Sequence, residues 1–428
     1  MIFKKSHTKD EMSRPEKILY YLLSITLLID FINGIFTELP IGETYRILVL
    51  AIASFFIFKV NVRDLMYIFL MFCYVCINSL ISYTDTINQF GLTFDLKMSL
   101  KAIYFIVLFK VIRSLYKANK FKLNTIKKII LNNLYYTPFL FLISYVLGIG
   151  KTSYENQSLG FKGTFMSLNS INVALLVLFI FALDGLLRNK NKLKWLFTLI
   201  CITIPMILLG TKSSLIFIGF VPVLYIIINM KFKINIKLSK LVLYYWSFIF
   251  VSLALMLFIY MDVDTPESYV DQLLQRQQYL FENRDLMSYV LSGRNWLLET
   301  GSNIFFADSN FINVLFGVGY FNIHNAIAVA WQMDWNAVRP IELDFFDIFF
   351  SYGVIGILLT YGYFSFYFFK GFKNFKNKLA QPYFVTLVTL LIFSLLGGHV
   401  FLEAISSTFL GLCLAGWHIS GEVIKKDL

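Results

Sequence analysis

Three basic residues and two acidic ones stand in settings that suit an anionic substrate and a proton transfer. Lys212 lies in Gly210-Thr211-Lys212-Ser213-Ser214 and Arg294 in Ser292-Gly293-Arg294. Arg339 opens the segment Arg339-Pro340-Ile341-Glu342-Leu343-Asp344-Phe345-Phe346-Asp347. Guanidinium is planar, permanently charged and bidentate toward phosphate oxygens. Where Ser292-Gly293-Arg294 begins a helix, the free N–H groups of that terminus join the arginine in an anion site. Lys212 sits in a turn so short that its charge has little freedom, although simple snorkelling to an interface would place it there too. Glu342 or Asp344 could take the proton of an attacking hydroxyl as general base. Their spacing equally fits a retaining pair, an Asp-rich metal site, or acids that only complement a helix N-terminus.

His324, in Asn322-Ile323-His324-Asn325, and His399, shortly before Glu403, are the other titratable candidates, and a lone histidine is commonly structural. Asp30 lies inside the first apolar run, where an ionisable side chain is a functional suspect by default. Asn33, one turn on, offers it a hydrogen-bond partner. Asp184 reaches Arg188 at i+4 and reads as structural. Cys73, Cys76, Cys201 and Cys413 all fall in apolar runs without companion ligands, and read as small packing residues. No G-x-x-x-x-G-K-[ST], G-x-S-x-G or H-E-x-x-H pattern occurs, so nothing points to ATP or a nucleotide sugar.

These residues must be positioned by membrane helices. Of the 428 residues 58% are hydrophobic and 15% charged, with a mean hydropathy of +0.68; a soluble domain carries about 25% charged residues. Apolar runs near 18–36, 45–60, 65–83, 98–116, 128–149, 165–187, 193–210, 213–230, 239–261, 345–369, 380–397 and 399–419 predict about a dozen transmembrane helices. The first run is long enough to span and lacks a following small-residue cleavage site, so it reads as a helix and not as a signal peptide.

The net charge of +12 and pI near 9.3 would suit a nucleic-acid binder, but every second connection is basic. Lys4, Lys5 and Arg14 precede the first run; Lys110, Arg113, Lys117 and Lys120 crowd the fourth connection, and Lys370, Lys373 and Lys376 the tenth. The positive-inside rule places those connections, and both termini, in the cytoplasm. The charge is a topology signal, and no nucleic-acid partner is expected.

The outward connection 262–344 holds eleven Asp or Glu, four Arg (Arg276, Arg284, Arg294, Arg339) and no Lys. A structureless loop of that length is uncommon. Tyr269, Leu273 and Leu274 predict an amphipathic helix over 267–283. A second is predicted from Asn295 toward Phe306, with Trp296 and Leu297 on its apolar side. The chain thus reads as a single integral membrane domain over 1–428, with 262–344 as an extracytoplasmic cap of short helices before the last three spans.

The order of several short motifs resembles the O-antigen polymerase and O-antigen ligase superfamily (Wzy-type polymerases and their relatives). Gly160-Phe161-Lys162-Gly163-Thr164-Phe165 is followed by Asn169 and Asn172, then by Gly210-Thr211-Lys212-Ser213-Ser214. Ser292-Gly293-Arg294 with Trp296, Leu315-Phe316-Gly317-Val318-Gly319, and Ser351-Tyr352-Gly353-Val354-Ile355-Gly356 in a helix come next. The resemblance covers roughly 160–370 and rests on joint order, since each piece alone is weak. Ligase-like relatives often carry a His-Asn pair before the last of these motifs. Here Glu342-Leu343-Asp344 stands there, which resembles the polymerase branch and puts His324 in doubt as a stand-in.

The resemblance implies a GT-C-like membrane glycosyltransferase of the bacterial inner membrane. It would act on polyprenyl-diphosphate-linked (undecaprenyl diphosphate) oligosaccharides outside the cytoplasm, without metal or cofactor. Lys212, Arg294 and Arg339 would hold the donor diphosphate, in reach of membrane lipid. A chain-length regulator and a flippase are expected companions. A sister ligase that moves finished glycan to another acceptor, and a lipid-glycan flippase or transporter, are the rival readings. Against transport, the two halves show no internal repeat and few midplane charges.

Overall fold

The computed structural model describes residues 12–82, 89–154, 159–232, 286–307, 310–335, 337–372 and 377–427. Among these residues a helix occupies each apolar run read from the sequence. They are Arg14–Ser24 (α1), Thr26–Ile35 (α2), Ile41–Val60 (α3), Val62–Ser82 (α4), Gln89–Lys117 (α5), Leu123–Val146 (α6), Leu168–Arg188 (α7), Lys192–Leu208 (α8) and Lys212–Phe232 (α9). The run expected at 239–261 and the amphipathic helix expected at 267–283, with Arg276 and Arg284, lie outside the described residues. Then follow Leu286–Val290 (α10), Arg294–Ala307 (α11), Phe311–Phe316 (α12) and Tyr320–Ala330 (α13). Asp344–Ile357 (α14), a π-helical turn Leu358–Gly362, Tyr363–Gly371 (α15), Gln381–Leu396 (α16) and Ala404–Asp427 (α17) close the chain.

Among the described residues, six helical stretches are long and apolar enough to cross a bilayer: Arg14–Ile35, Ile41–Val60, Val62–Ser82, Leu123–Val146, Leu168–Arg188 and Asp344–Gly371. The chain is an all-α polytopic membrane protein. The strands among the described residues form a single hairpin, Thr152–Tyr154 (β1) against Leu159–Phe161 (β2), which the hydropathy pattern does not announce.

Helix α7 is apolar all round and buried from Ser170 to Leu186, as befits a central helix. Helices α5 and α17 pack closely on each other, and α17 also lies along α7. By contrast α3 and α4 leave Phe55, Phe58, Met66 and Phe69 exposed, the surface expected of helices that face lipid. The last helix starts only at Ala404, not at 399 as the hydropathy predicts, so His399 and Glu403 lie in the connection before it.

A second, smaller core joins the cap helices to α14. Leu297 and Phe305 of α11, Ile323 and Ile327 of α13, and Ile341 pack with Phe350. Trp296, expected beside Leu297 on the apolar side, is instead 46% exposed where Leu297 is 1%. Successive helix positions point about 100° apart, so the two cannot share one narrow face.

The glycines of two sequence motifs explain how the cap is fastened. Gly353 has φ +63 inside α14 and interrupts the helix, although the apolar run predicts a continuous one. The interruption frees backbone carbonyls, and those of Phe350, Ser351 and Tyr352 find donors outside the helix. Phe350 O accepts from Val318 N (2.9 Å) and Ser351 O from Gly319 N (3.1 Å). Asn78 donates to Ser351 O (3.2 Å) and Phe316 O, and Tyr74 to Tyr352 O. Gly317 and Gly353 face each other's strand of backbone so closely that a Cβ on either would overlap it. Gly353→Ala is therefore strained in φ and in space. It is expected to cost at least about 2 kcal/mol, read as a lower melting temperature and faster proteolysis of the cap in the detergent-solubilised protein.

The cap has a second anchor in α5. Buried Asp95 accepts a hydrogen bond from Phe321 N at 2.7 Å, at the N-terminus of α13. A carboxylate there satisfies a free donor and complements the helix dipole.

Candidate functional site

The three predicted cations meet on one four-residue stretch of backbone at the cap end of the bundle. Lys212 Nζ donates to Tyr289 O at 2.6 Å and lies 3.8 Å from the centre of the Tyr289 ring. Arg294 Nη1 donates to Leu291 O at 3.1 Å, and Arg339 Nη2 to Ser292 O at 2.6 Å. These carbonyls lie where α10 ends and turns into α11, and a helix C-terminus carries partial negative charge. The turn itself is left-handed at Ser292 (φ +57) and Gly293 (φ +79), which folds Arg294 back over it.

Each cation comes from a differently built element. Lys212 begins α9, after a turn held by Asn172 of α7. Asn172 donates to Thr211 Oγ1 (3.0 Å) and Ser213 Oγ (2.8 Å), and accepts from Ser214 Oγ (2.8 Å). Two motifs of the sequence resemblance, the one around Asn172 and the one around Lys212, are thus one hydrogen-bonded unit. Arg294 is buried, whereas Arg339 is exposed. The Nε of Arg294 is buried without a hydrogen-bond partner, a donor the site leaves unused.

Glu342 stands on the other side of Arg294, accepting from Nη2 at 2.6 Å. Its second oxygen lies 3.6 Å from His399 Nε2, and His399 Nδ1 lies 3.7 Å from Glu403. Glu403 is in turn 3.5 Å from Lys101 of α5. Charges of alternating sign therefore run from Arg294 through Glu342, His399 and Glu403 to Lys101. Burial would raise the Glu342 pKa, but contact with His399 and the charges of His399, Arg294 and Arg339 outweigh it and hold the carboxyl at about 2. For His399 burial works downward, and the two flanking carboxylates raise it to about 10. Both groups are ionised at neutral pH.

Glu342 (φ +60) and His399 (φ +62) both adopt left-handed backbone, a conformation that costs a non-glycine residue energy and collects at functional sites. Gly398 fits between them with φ +64, and a Cβ there would overlap Glu342 O.

The other candidate side chains are held by structural partners. Asp344, the second candidate base, is buried with both oxygens occupied: Oδ1 accepts from His399 N (2.7 Å), and Oδ2 from Val400 N (2.7 Å) and Phe401 N (3.0 Å). It is the cradle of the His399 turn, with three of its acceptor sites taken by backbone N–H groups. Asp347 accepts from Leu343 N at 3.0 Å and serves the start of α14. Asp30 pairs with Arg46 at 2.5 Å and not with Asn33, which accepts from Gly42 N instead. His324 meets Val338 O at 2.6 Å, and burial lowers its pKa despite that bond, so it sits neutral in the cap core. Asp184 does pair with Arg188, and also with Lys127 at 3.6 Å.

Lys101, Glu403 and Asp95 are the residues that sequence reasoning passed over. Lys101 carried a signal, since an ionisable side chain inside a predicted span is suspect by default. The partnership of Glu403 with it had none. Among the described residues, no group of three His, Cys, Asp or Glu side chains is gathered to hold a metal ion.

Comparison with known proteins adds one finding. The family described as O-antigen ligase like membrane protein matches residues 269–420. No curated protein sequence matches the chain. The matched stretch contains Arg294, Arg339, Glu342, His399 and Glu403, but not Lys212 or Lys101. It points to a membrane role in glycan assembly, and it supports membership of the chain in the O-antigen ligase superfamily.

Proposed function

We propose that the protein is a membrane glycosyltransferase that polymerises polyprenyl-diphosphate-linked oligosaccharide repeat units into a surface polysaccharide, at the outer face of a bacterial cytoplasmic membrane. The observation that carries this reading is the gathering of Lys212, Arg294 and Arg339 on the Tyr289–Ser292 backbone, with Glu342 against Arg294. Three cations gathered on one stretch of backbone suit a diphosphate, and Glu342 against Arg294 leaves a base next to it.

In the reaction, a hydroxyl oxygen of the incoming repeat unit attacks the anomeric carbon of the donor glycan. The bond from that carbon to the diphosphate oxygen breaks, its electron pair leaves with the polyprenyl diphosphate, and the hydroxyl proton passes to Glu342. The cations stabilise charge that builds on the leaving group, commonly the largest electrostatic contribution available to such a site. The cap helices α10 to α13 would cover the sugars, and the alternating basic connections support an outward cap with cytoplasmic termini.

The matched family description makes a ligase the second reading. A deletion strain separates the two by glycan chain length. Loss of the polymerase leaves single repeat units on the surface lipid, whereas loss of a ligase leaves long chains on the polyprenyl carrier. Unaltered surface glycan and an unaltered carrier pool would sink both.

A further inference from the structure

Glu342 is held by two cations of different character. Arg294 reaches it directly, at 2.6 Å, but is also the residue proposed to grip the donor diphosphate. A guanidinium that turns its Nη atoms to phosphate oxygens loosens its hold on Glu342. His399 has no such second task. Its backbone N–H, with those of Val400 and Phe401, is fixed by Asp344, and its carbonyl accepts from Ser406 Oγ. Its ring is lodged between Glu342 and Glu403, and Lys101 backs Glu403 from α5.

Resting on the polymerase reading above, we propose that His399, backed by Glu403 and Lys101, is a positioning residue that keeps Glu342 oriented while the donor diphosphate draws Arg294 away. Donor binding then does two things at once. It fills the cation cluster, and it removes from Glu342 the closer of its two cations, so that the carboxylate becomes a better base only when a donor is present. A base freed only by the donor protects the activated lipid from transfer of its glycan to water, because an unoccupied site has no competent base. Both left-handed residues, Glu342 and His399, serve this contact, which accounts for backbone strain on each side of Gly398.

The groups that face His399 are Glu342 before α14, Glu403 on its own connection, and Asp344 and Asp347 on α14. Lys101 from α5 and the Arg46–Asp30 pair of α3 and α2 act on it through Glu403. Glu403 is therefore the lever that changes the state of His399 without touching the base or the donor cations. The imidazolium is favoured by two carboxylates against a burial that opposes it. Glu403→Gln removes one of them, so His399 gives up its proton at lower pH, and on the alkaline side Glu342, itself still ionised, loses the fixed cation that orients it.

The test uses the full-length protein in lipid nanodiscs. With a lipid-linked repeat unit as substrate, the alkaline limb of the rate profile should move down in Glu403→Gln by more than about one pH unit, with recovery toward wild type on acidification. Glu403→Asp, which keeps the charge, should leave the limb in place. A Glu403→Gln profile lowered by the same factor at every pH overturns the proposal, as does equal inactivity of both variants at every pH. A second arm needs no turnover: nitrogen-15 imidazole spectra should show His399 protonated beyond pH 8 in wild type and titrating lower in Glu403→Gln. A His399 that titrates near the ordinary value of about 6.5 overturns the proposal even if the polymer is made. A wild-type protein that transfers no lipid-linked repeat unit, yet holds a protonated His399, overturns the polymerase reading and leaves the charge array standing.

Discussion

Glu342→Gln should make a correctly inserted protein that forms polymer about 10²- to 10⁴-fold more slowly, the range for removal of a general base. Glutamine has nearly the shape of glutamate and keeps an oxygen that accepts from Arg294 Nη2, so the 2.6 Å contact can persist in form. What disappears is the negative charge and the capacity to take a proton. The variant thereby separates chemistry from binding. With Glu342 neutral, Arg294, Arg339 and His399 face one anion fewer, and a diphosphate should bind at least as tightly as before. Titration of nanodisc-embedded protein with undecaprenyl diphosphate, followed by native mass spectrometry, reads the binding. Turnover of a lipid-linked repeat unit reads the rate. A variant that polymerises at the wild-type rate removes Glu342 from the reaction.

The pH dependence carries the same assignment. With the Glu342 carboxyl held at about 2, acid should not silence the wild-type enzyme until well below neutrality. A depressed carboxyl is ionised at all higher pH, and activity that needs the ionised form is lost only as the pH falls toward that value. If donor binding draws Arg294 away, the acidic limb of the rate at saturating donor should lie above that of the rate at limiting donor, since the former reports the occupied site.

Much of the frame was legible in the sequence because the determinants are local. Runs of apolar residues announce spanning helices whatever their neighbours, and the helices α3, α4, α6 and α7 start and stop close to where hydropathy places them. Residue chemistry also singled out Arg294 and Arg339, as guanidinium without lysine in an acidic loop, Lys212 in its short turn, and Glu342 as a carboxylate beside a cation. What the sequence concealed is which oxygens are already spoken for. Asp344 and Glu342 are two residues apart and chemically alike, yet one is consumed by three N–H groups of the His399 turn and the other faces Arg294. That difference is set by a connection far along the chain, between α16 and α17. The break at Gly353 was hidden for the same reason. A glycine in an apolar run reads as a tolerated helix residue until the partner backbone at Leu315–Gly319 is known. The order of the glycine motifs could be seen, but not that two of them exist to bond each other.

Arg294→Ala is the second large effect, and it should lower turnover by about 10²- to 10³-fold, the cost of one donor aimed at a developing oxyanion. The side chain is buried at the meeting point of α10 and α11, with one nitrogen on Leu291 O, one on Glu342 and Nε unused. Its loss has opposite consequences for the two halves of the proposed site. The diphosphate loses its best-placed bidentate partner, which slows departure of the leaving group. Glu342 loses its closer cation, which makes it a stronger base. The measured fall is the difference between these, so the single variant understates what the leaving group loses. Comparison at high and low pH resolves them, because the gain in basicity shows only where Glu342 would otherwise limit. Arg294→Lys should recover less than about tenfold, because a compact ammonium cannot bridge carboxylate and phosphate as a planar fork does. Combined with Glu342→Gln, the loss should be smaller than the product of the separate losses, as expected of residues in contact that act on one transition state. Normal protein level with normal polymer in Arg294→Ala would take the donor clamp away. Strictly multiplicative losses would mean that Arg294 and Glu342 are neighbours without a shared task.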